Sequence, residues 1–253
     1  MIKRFDHEHL RVYQASIDFV AWLEVLYPEI ERKVSAHDHL FRASASVPVN
    51  IAEASGKSSM NERRQFIDTA YGSSLECAAC LDVLCILECI SPSMAQTGKR
   101  RLSGIVSMLI GFRESTAGRV REERVLYGTD NEGSQTANFD HEKLDVYRRA
   151  MDFIRWCDEF RKKQCLARSV EIALDRASTG LALNIAEGNG KFSTKDRCRF
   201  IGHARTAALQ AAANLDVIAA RNSQLRRKAE EGKRLLADSV RMLVAWQKSI
   251  SGE

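Results

Sequence analysis

The chain has 253 residues, 45% of them hydrophobic and 28% charged, with a formal net charge of +5 at pH 7. That length and mixture supply apolar surface for two compact cores and exclude a disordered or low-complexity chain. The first residues, Met1 to Glu8, carry charges where a signal peptide needs an apolar run, and no stretch reads as a membrane span, which points to a cytoplasmic protein with no membrane role.

Apolar residues follow helical rather than alternating spacing from the start: Val12, Phe19, Leu23 and Leu26 share a face and predict a first helix from His7 to Tyr27. Asp6, just before it, has the chemistry of an N-cap. A second helix is predicted from Ser35 to Ala54, interrupted at Pro48 and stopped by Gly56-Lys57, a pair suited to a left-handed helix end. Ser59-Met60-Asn61-Glu62 reads as a capping box opening a third helix, Asn61 to Cys89. Ser91-Pro92 opens a fourth, Pro92 to Arg121. Gly128 to Thr136 then has the composition of a flexible linker.

After the linker the chain begins again. Phe139-Asp140-His141-Glu142 copies Phe5-Asp6-His7-Glu8, a shift of 139 − 5 = 134 residues, and Val12-Tyr13, Trp22, Arg42-Ala43-Ser44, Asn50-Ile51-Ala52-Glu53, Leu81-Asp82-Val83 and Gly98-Lys99-Arg100 all recur at the same shift without a gap. Shifting the four helices by that amount gives the second set, entered again through a capping-box sequence, Ser193-Thr194-Lys195-Asp196, and with Leu181 in place of Pro48. Short connections between long helices favour sequential antiparallel packing. The predicted fold is therefore all-α, two tandem antiparallel up-down four-helix bundles: residues 1–124, a flexible linker at 125–136, and residues 137–253.

Phe-Asp-His-Glu leading into Leu-x-Val-Tyr, the Arg-Ala-Ser block, Asn-Ile-Ala-Glu-(Ala/Gly)-x-Gly-Lys and Cys77-Ala78-Ala79-Cys80-Leu81-Asp82-Val83 resemble the four-helix-bundle proteins also called 23S rRNA intervening-sequence proteins, over both repeats. The most specific piece is Asn184-Ile185-Ala186-Glu187-Gly188. The resemblance implies a bundle that forms a homo-oligomer, a pentameric ring, without an established enzymatic activity. Through a relative, the accessory protein of diversity-generating retroelements, it implies nucleic acid and a reverse transcriptase as partners. Fusing two copies in one chain departs from the family pattern and puts simple pentamer formation in question.

The duplication acts as an internal control on candidate sites. Asn50 with Glu53, and Asn184 with Glu187, sit three residues apart on one helix face; they read as a structural motif in which Asn satisfies backbone groups and Glu pairs with a cation such as Arg42 or Arg63. Cys77, Cys80, Cys85 and Cys89 suggest a soft-metal site, but the copy has Ala211, Asn214, Ala219 and Ser223, so small packing side chains are the better reading and neither metal nor cofactor is expected. The seven cysteines lack disulfide-like spacing and read as reduced thiols. Arg197 and His203 resemble the Arg-x(4–6)-His pattern of small helical ribonucleases, yet Thr69 stands opposite His203 in the first repeat.

Charge separates the halves. Up to Ser134 there are 16 basic and 18 acidic residues, and beyond it 22 and 15, giving −2 and +7. In an up-down bundle the end of the fifth helix, the start of the sixth, the end of the seventh and the start of the eighth share one pole, which collects Arg161, Lys162, Lys163, Arg168, Arg221, Arg226, Arg227 and Lys228. The sequence thus predicts a non-catalytic binding module that takes RNA or DNA phosphate backbone with weak sequence preference, possible beside a polymerase-type protein, with a purely protein-binding oligomeric adaptor as the alternative.

Overall fold

The structure is a computed structural model and describes residues 5–30, 34–116 and 139–252; the predicted linker and the end of the predicted fourth helix at Arg121 lie outside them. Eight long helices are described: α1 (Arg11–Leu26), α2 (Ser35–Gly56), α3 (Met60–Ile86), α4 (Pro92–Ser115), α5 (Asp145–Lys163), α6 (Arg168–Asn189), α7 (Thr194–Arg221) and α8 (Arg226–Ser251). Each set of four closes as an up-down bundle: α1 packs on α2 and α4, α3 on α2 and α4, and the same pattern holds for α5 to α8.

Local chemistry explains most helix ends. Ser59, Ser91 and Ser193 accept hydrogen bonds from Glu62 N, Met94 N and Asp196 N, so the hydroxyl half of each predicted cap closes. The entry to each repeat differs from expectation. Asp6 and Asp140 are not N-caps; they lie in short 3-10 turns (Asp6–His9 and Asp140–Lys143), and Glu8 and Glu142 reach back to accept from Phe5 N at 2.8 Å and Phe139 N at 2.7 Å. In both copies the histidine that follows packs edge-on against a tyrosine, His7 on Tyr13 and His141 on Tyr147.

Two further expectations are corrected. Pro48 does not interrupt α2, which runs through it to Gly56 with the proline ring buried. Neither Gly56 nor Gly190 adopts the left-handed conformation; among the described residues positive φ occurs at Glu88 and Gly252. Gly190 is required for a different reason, since a Cβ there would overlap Leu75 Cδ1 of the first repeat. A duplicated close approach accounts for the Gly-Lys-Arg blocks, because a Cβ at Gly98 or Gly232 would collide with the ring of Trp22 or Trp156.

The bundles also pack on each other, α3 against α5 and α6, with α2 against α6. This placement explains why α3 is apolar around most of its circumference: it has neighbours in both bundles. By length and composition α3 is long and apolar enough to cross a membrane, contrary to the sequence reading, but most of that stretch is buried inside the protein. Among the described elements its copy α7 has neighbours in its own bundle alone, and its outer face leaves Leu209 and Val217 exposed.

Candidate functional site

The seam between the bundles holds the densest group of ionisable side chains. Lys99, on α4 and nearly fully buried, places its ammonium 2.9 Å from Asp82 on α3 and 2.8 Å from Glu142 of the second repeat. Tyr147 donates its hydroxyl to the other Asp82 oxygen at 3.0 Å. Burial pushes the Glu142 carboxyl up, with the Asp82 charge adding to it, and the Tyr147 phenol is raised well above its ordinary value by the same desolvation. For Lys99 desolvation lowers the pKa, but the two carboxylates outweigh it and the net direction is up. His141 is fully buried beside this group, with neither ring nitrogen hydrogen-bonded, and burial lowers its pKa to about 3.

Asp82, His141 and Glu142 offer three ligand-type atoms within 4.8 Å of one another, a group the sequence reading missed. The Lys99 ammonium stands in the cation position between the two carboxylates, so the arrangement works as a buried ion-pair clamp. The blocks containing Asp82, Lys99 and Glu142 were visible as repeats. What the sequence did not carry was that one repeat's Asp-Lys pair meets the other repeat's Glu and Tyr.

A second set of contacts lies further along the seam. Val34 at the N-cap of α2 has no capping side chain, and Asp175 of α6 does that work, accepting from Ser35 N at 2.8 Å. Asp175 also pairs with Arg161 at 3.3 Å. Tyr71 of α3 packs on Phe192, over whose ring the Arg113 guanidinium sits at 3.9 Å.

In the Asn-Ile-Ala-Glu motif each Asn and Glu bonds within or next to its own helix, and the partners of the glutamates differ from those expected. Asn50 and Asn184 donate to the carbonyls four residues back, Ser46 and Gly180, both at 2.7 Å. Glu53 and Glu187 pair with Lys57 and Lys191, at 3.8 and 2.8 Å, rather than with Arg42 or Arg63. Arg63 and its copy Arg197 instead tie down the turns after α2 and α6 by donating to Lys57 O and Lys191 O. Arg197 is therefore committed to the scaffold. His203 is exposed and set edge-on to Phe200, and six residues on one helix leave it about 120° around the axis and about 9 Å along it from Arg197. The structure does not bring the two together as a catalytic pair.

Cys77, Cys80 and Cys157 are buried, with thiols pushed up by desolvation, Cys165 is exposed, and Cys85, Cys89 and Cys198 are half-buried.

Of the eight cations expected at one pole, Lys163 of α5 and Lys228 of α8 line one small pocket. Most of the eight are partnered. Arg161 pairs with Asp158 and Asp175, Lys162 with Glu88 at 2.8 Å and Asp158 at 3.0 Å, Lys163 with Glu159, Arg168 with Glu171, and Lys228 with Glu231. Arg221, Arg226 and Arg227 are exposed, and no described carboxylate pairs with them.

No curated protein and no solved structure matches the chain. The family model of the 23S rRNA-intervening sequence protein matches twice, over residues 8–111 and 142–245, the same 134-residue shift that relates the repeats (142 − 8). The matched segments cover most of the chain and coincide with the two bundles, so this protein belongs to the 23S rRNA-intervening sequence protein family, as a tandem duplicate.

Proposed function

We propose that the chain is a non-catalytic binding module that takes the phosphate backbone of RNA or DNA at the α7–α8 end of the second bundle. One observation carries this reading: Arg221, Arg226 and Arg227 are exposed at the junction of two helices and have no carboxylate partner among the described residues, whereas the other cations of that pole are engaged in ion pairs. Unpaired guanidiniums gain most from phosphates, because no existing pair has to be broken. No aromatic side chain is part of this triad, so backbone contact without base reading is the mode it supports.

The test is a salt titration of labelled single-stranded RNA and DNA binding. Arg226→Glu with Arg227→Glu is expected to weaken binding and to lower the slope of log K against log salt by roughly 1.4, the single-strand value for two lost phosphate contacts. Arg100→Glu with Arg101→Glu, an equal charge reversal on the first bundle, is expected to have a smaller effect. Lys99 is unsuitable for that control, since it is buried in the clamp between the repeats. Equal binding by the two double variants would remove the reading.

A protein-binding adaptor is the second reading, favoured by the exposed apolar side chains on α2 and α7, among them Val49, Leu209 and Val217.

A further inference from the structure

The contact between the bundles joins unlike faces. The first repeat contributes chiefly its third helix, α3, flanked by α2 and by Lys99 of α4, and the second contributes its first and second helices, α5 and α6. Such a heterologous contact uses one face of each bundle and leaves each bundle's other face free. Because the bundles are copies, the free faces are the two halves of the contact already made: the α1–α2 face of the first repeat and the α7 face of the second.

Residue by residue, the free faces retain the chemistry of the filled one. At the seam, Leu75 of α3 is 4% exposed and sits against Gly190 of the second repeat, where Leu183 of α6 is also 4% exposed. The copy of Leu75 is Leu209, 57% exposed, and the copy of Leu183 is Val49, 60% exposed. Val83 and Met151, buried in the protein, have exposed copies in Val217 and Ile17. Gly190 has no room for a Cβ, whereas Gly56 has nothing within 4 Å. Around Gly56 lies a groove of about 490 Å³ whose lining includes His7, Tyr13, Ile17, Val49 and Ala52. These are the copies of His141, Tyr147, Met151, Leu183 and Ala186, all of them buried in the second bundle.

The polar half is retained as well. Lys233 and Asp216, the copies of Lys99 and Asp82, pair at 2.8 Å on the open α7–α8 surface. Tyr13, the copy of Tyr147, lines the groove, and Glu8, the copy of Glu142, is half-buried next in sequence to the lining residue His7. Isolated exposed apolar residues need no explanation, but here they fall at the positions their copies bury, on two complementary surfaces.

We propose that this groove on the first bundle receives the α7 ridge of a second copy of the chain, Leu209 entering beside Gly56 and Lys233 meeting Glu8, so that chains join head to tail. The inference does not rest on the cationic end. Each added chain renews one groove and one ridge, and any closed array contains an even number of bundles, which rules out a single ring of five bundles. The intermolecular contact is not an exact repeat of the internal one: Arg205 stands for Tyr71, Ser58 for Phe192 and Phe41 for Asp175, so its outer part exchanges an aromatic pair and a helix cap for an exposed phenylalanine.

Light scattering on the full chain over a concentration series tests this. The wild type is expected to grow in mass with concentration. Leu209→Asp and Val49→Asp each change an exposed position, so the fold, followed by circular dichroism, is expected to survive while self-association is lost. The mixture of the two variants is decisive, because the first retains a groove and the second a ridge: one-to-one dimers are expected, and no larger species. A wild type that stays monomeric throughout overturns the proposal, as do single variants that still assemble like wild type. A mixture that remains monomeric while wild type assembles overturns the head-to-tail geometry.

Discussion

Leu75 fills the space beside Gly190 that any larger residue there would claim, whereas their copies Leu209 and Gly56 have no such contact within the chain. One pair is therefore a structural lock between the repeats, and the other is not, although the two differ little in sequence.

Gly190→Ala is expected to force Leu75 or the helix pair apart and to destabilise the chain by about 1–3 kcal/mol, the usual cost of overpacking. Gly56→Ala, with open space at its Cβ, is expected to be neutral or slightly stabilising at dilution. Thermal unfolding of the two variants checks the contrast, and equal losses would mean that the seam does not depend on this approach.

Removing the clamp cation should be costly. Lys99→Met leaves Asp82 and Glu142 facing each other at the seam, an uncompensated arrangement expected to lose about 3–5 kcal/mol near neutral pH. The copy, Lys233→Met, breaks pairs that solvent screens and is expected to cost far less. Glu142 already has a raised pKa, and losing Lys99 raises it further, so the folded state binds that proton more tightly than the unfolded chain does. The Lys99→Met variant should therefore recover part of its deficit as pH falls from neutral toward the raised pKa of Glu142. Urea midpoints at several pH values measure it.

His141 contributes acid sensitivity. Its folded pKa, about 3, lies below the ordinary histidine value of 6.5, so the unfolded chain takes up the proton first. Stability tied to this residue is present above about 6.5 and declines as pH falls toward 3. His141→Phe is expected to flatten the pH profile of the unfolding midpoint across that window. An unchanged profile would show that His141 is not held neutral.

Thiol accessibility should follow burial. With a disulfide reagent under native conditions, Cys165 is expected to react first and the half-buried Cys198, Cys85 and Cys89 more slowly. Cys77, Cys80 and Cys157, buried with raised pKa values, are expected to react only on unfolding. Rapid labelling of all seven would contradict the packing described for α3.

The helices, the bundle class and the duplication could be read from the amino-acid order, because amphipathic spacing, serine caps and an ungapped shift are local or pairwise properties of sequence. The shared helix face of Asn50 with Glu53, and of Asn184 with Glu187, was legible for the same reason, but the partner of each glutamate was not, since it fell to the lysine one turn on. The role of Gly190 was not, since glycine at a helix end suggests a left-handed turn unless one knows that Leu75 of the other bundle lies against it. Nor did the sequence show that five of eight cations at the basic pole are held in ion pairs, or that Lys99 is buried while its identical copy Lys233 is open to solvent. Identical residues in identical bundles acquired different environments because two unlike faces pack together, and only the tertiary structure decides which copy of each face is covered.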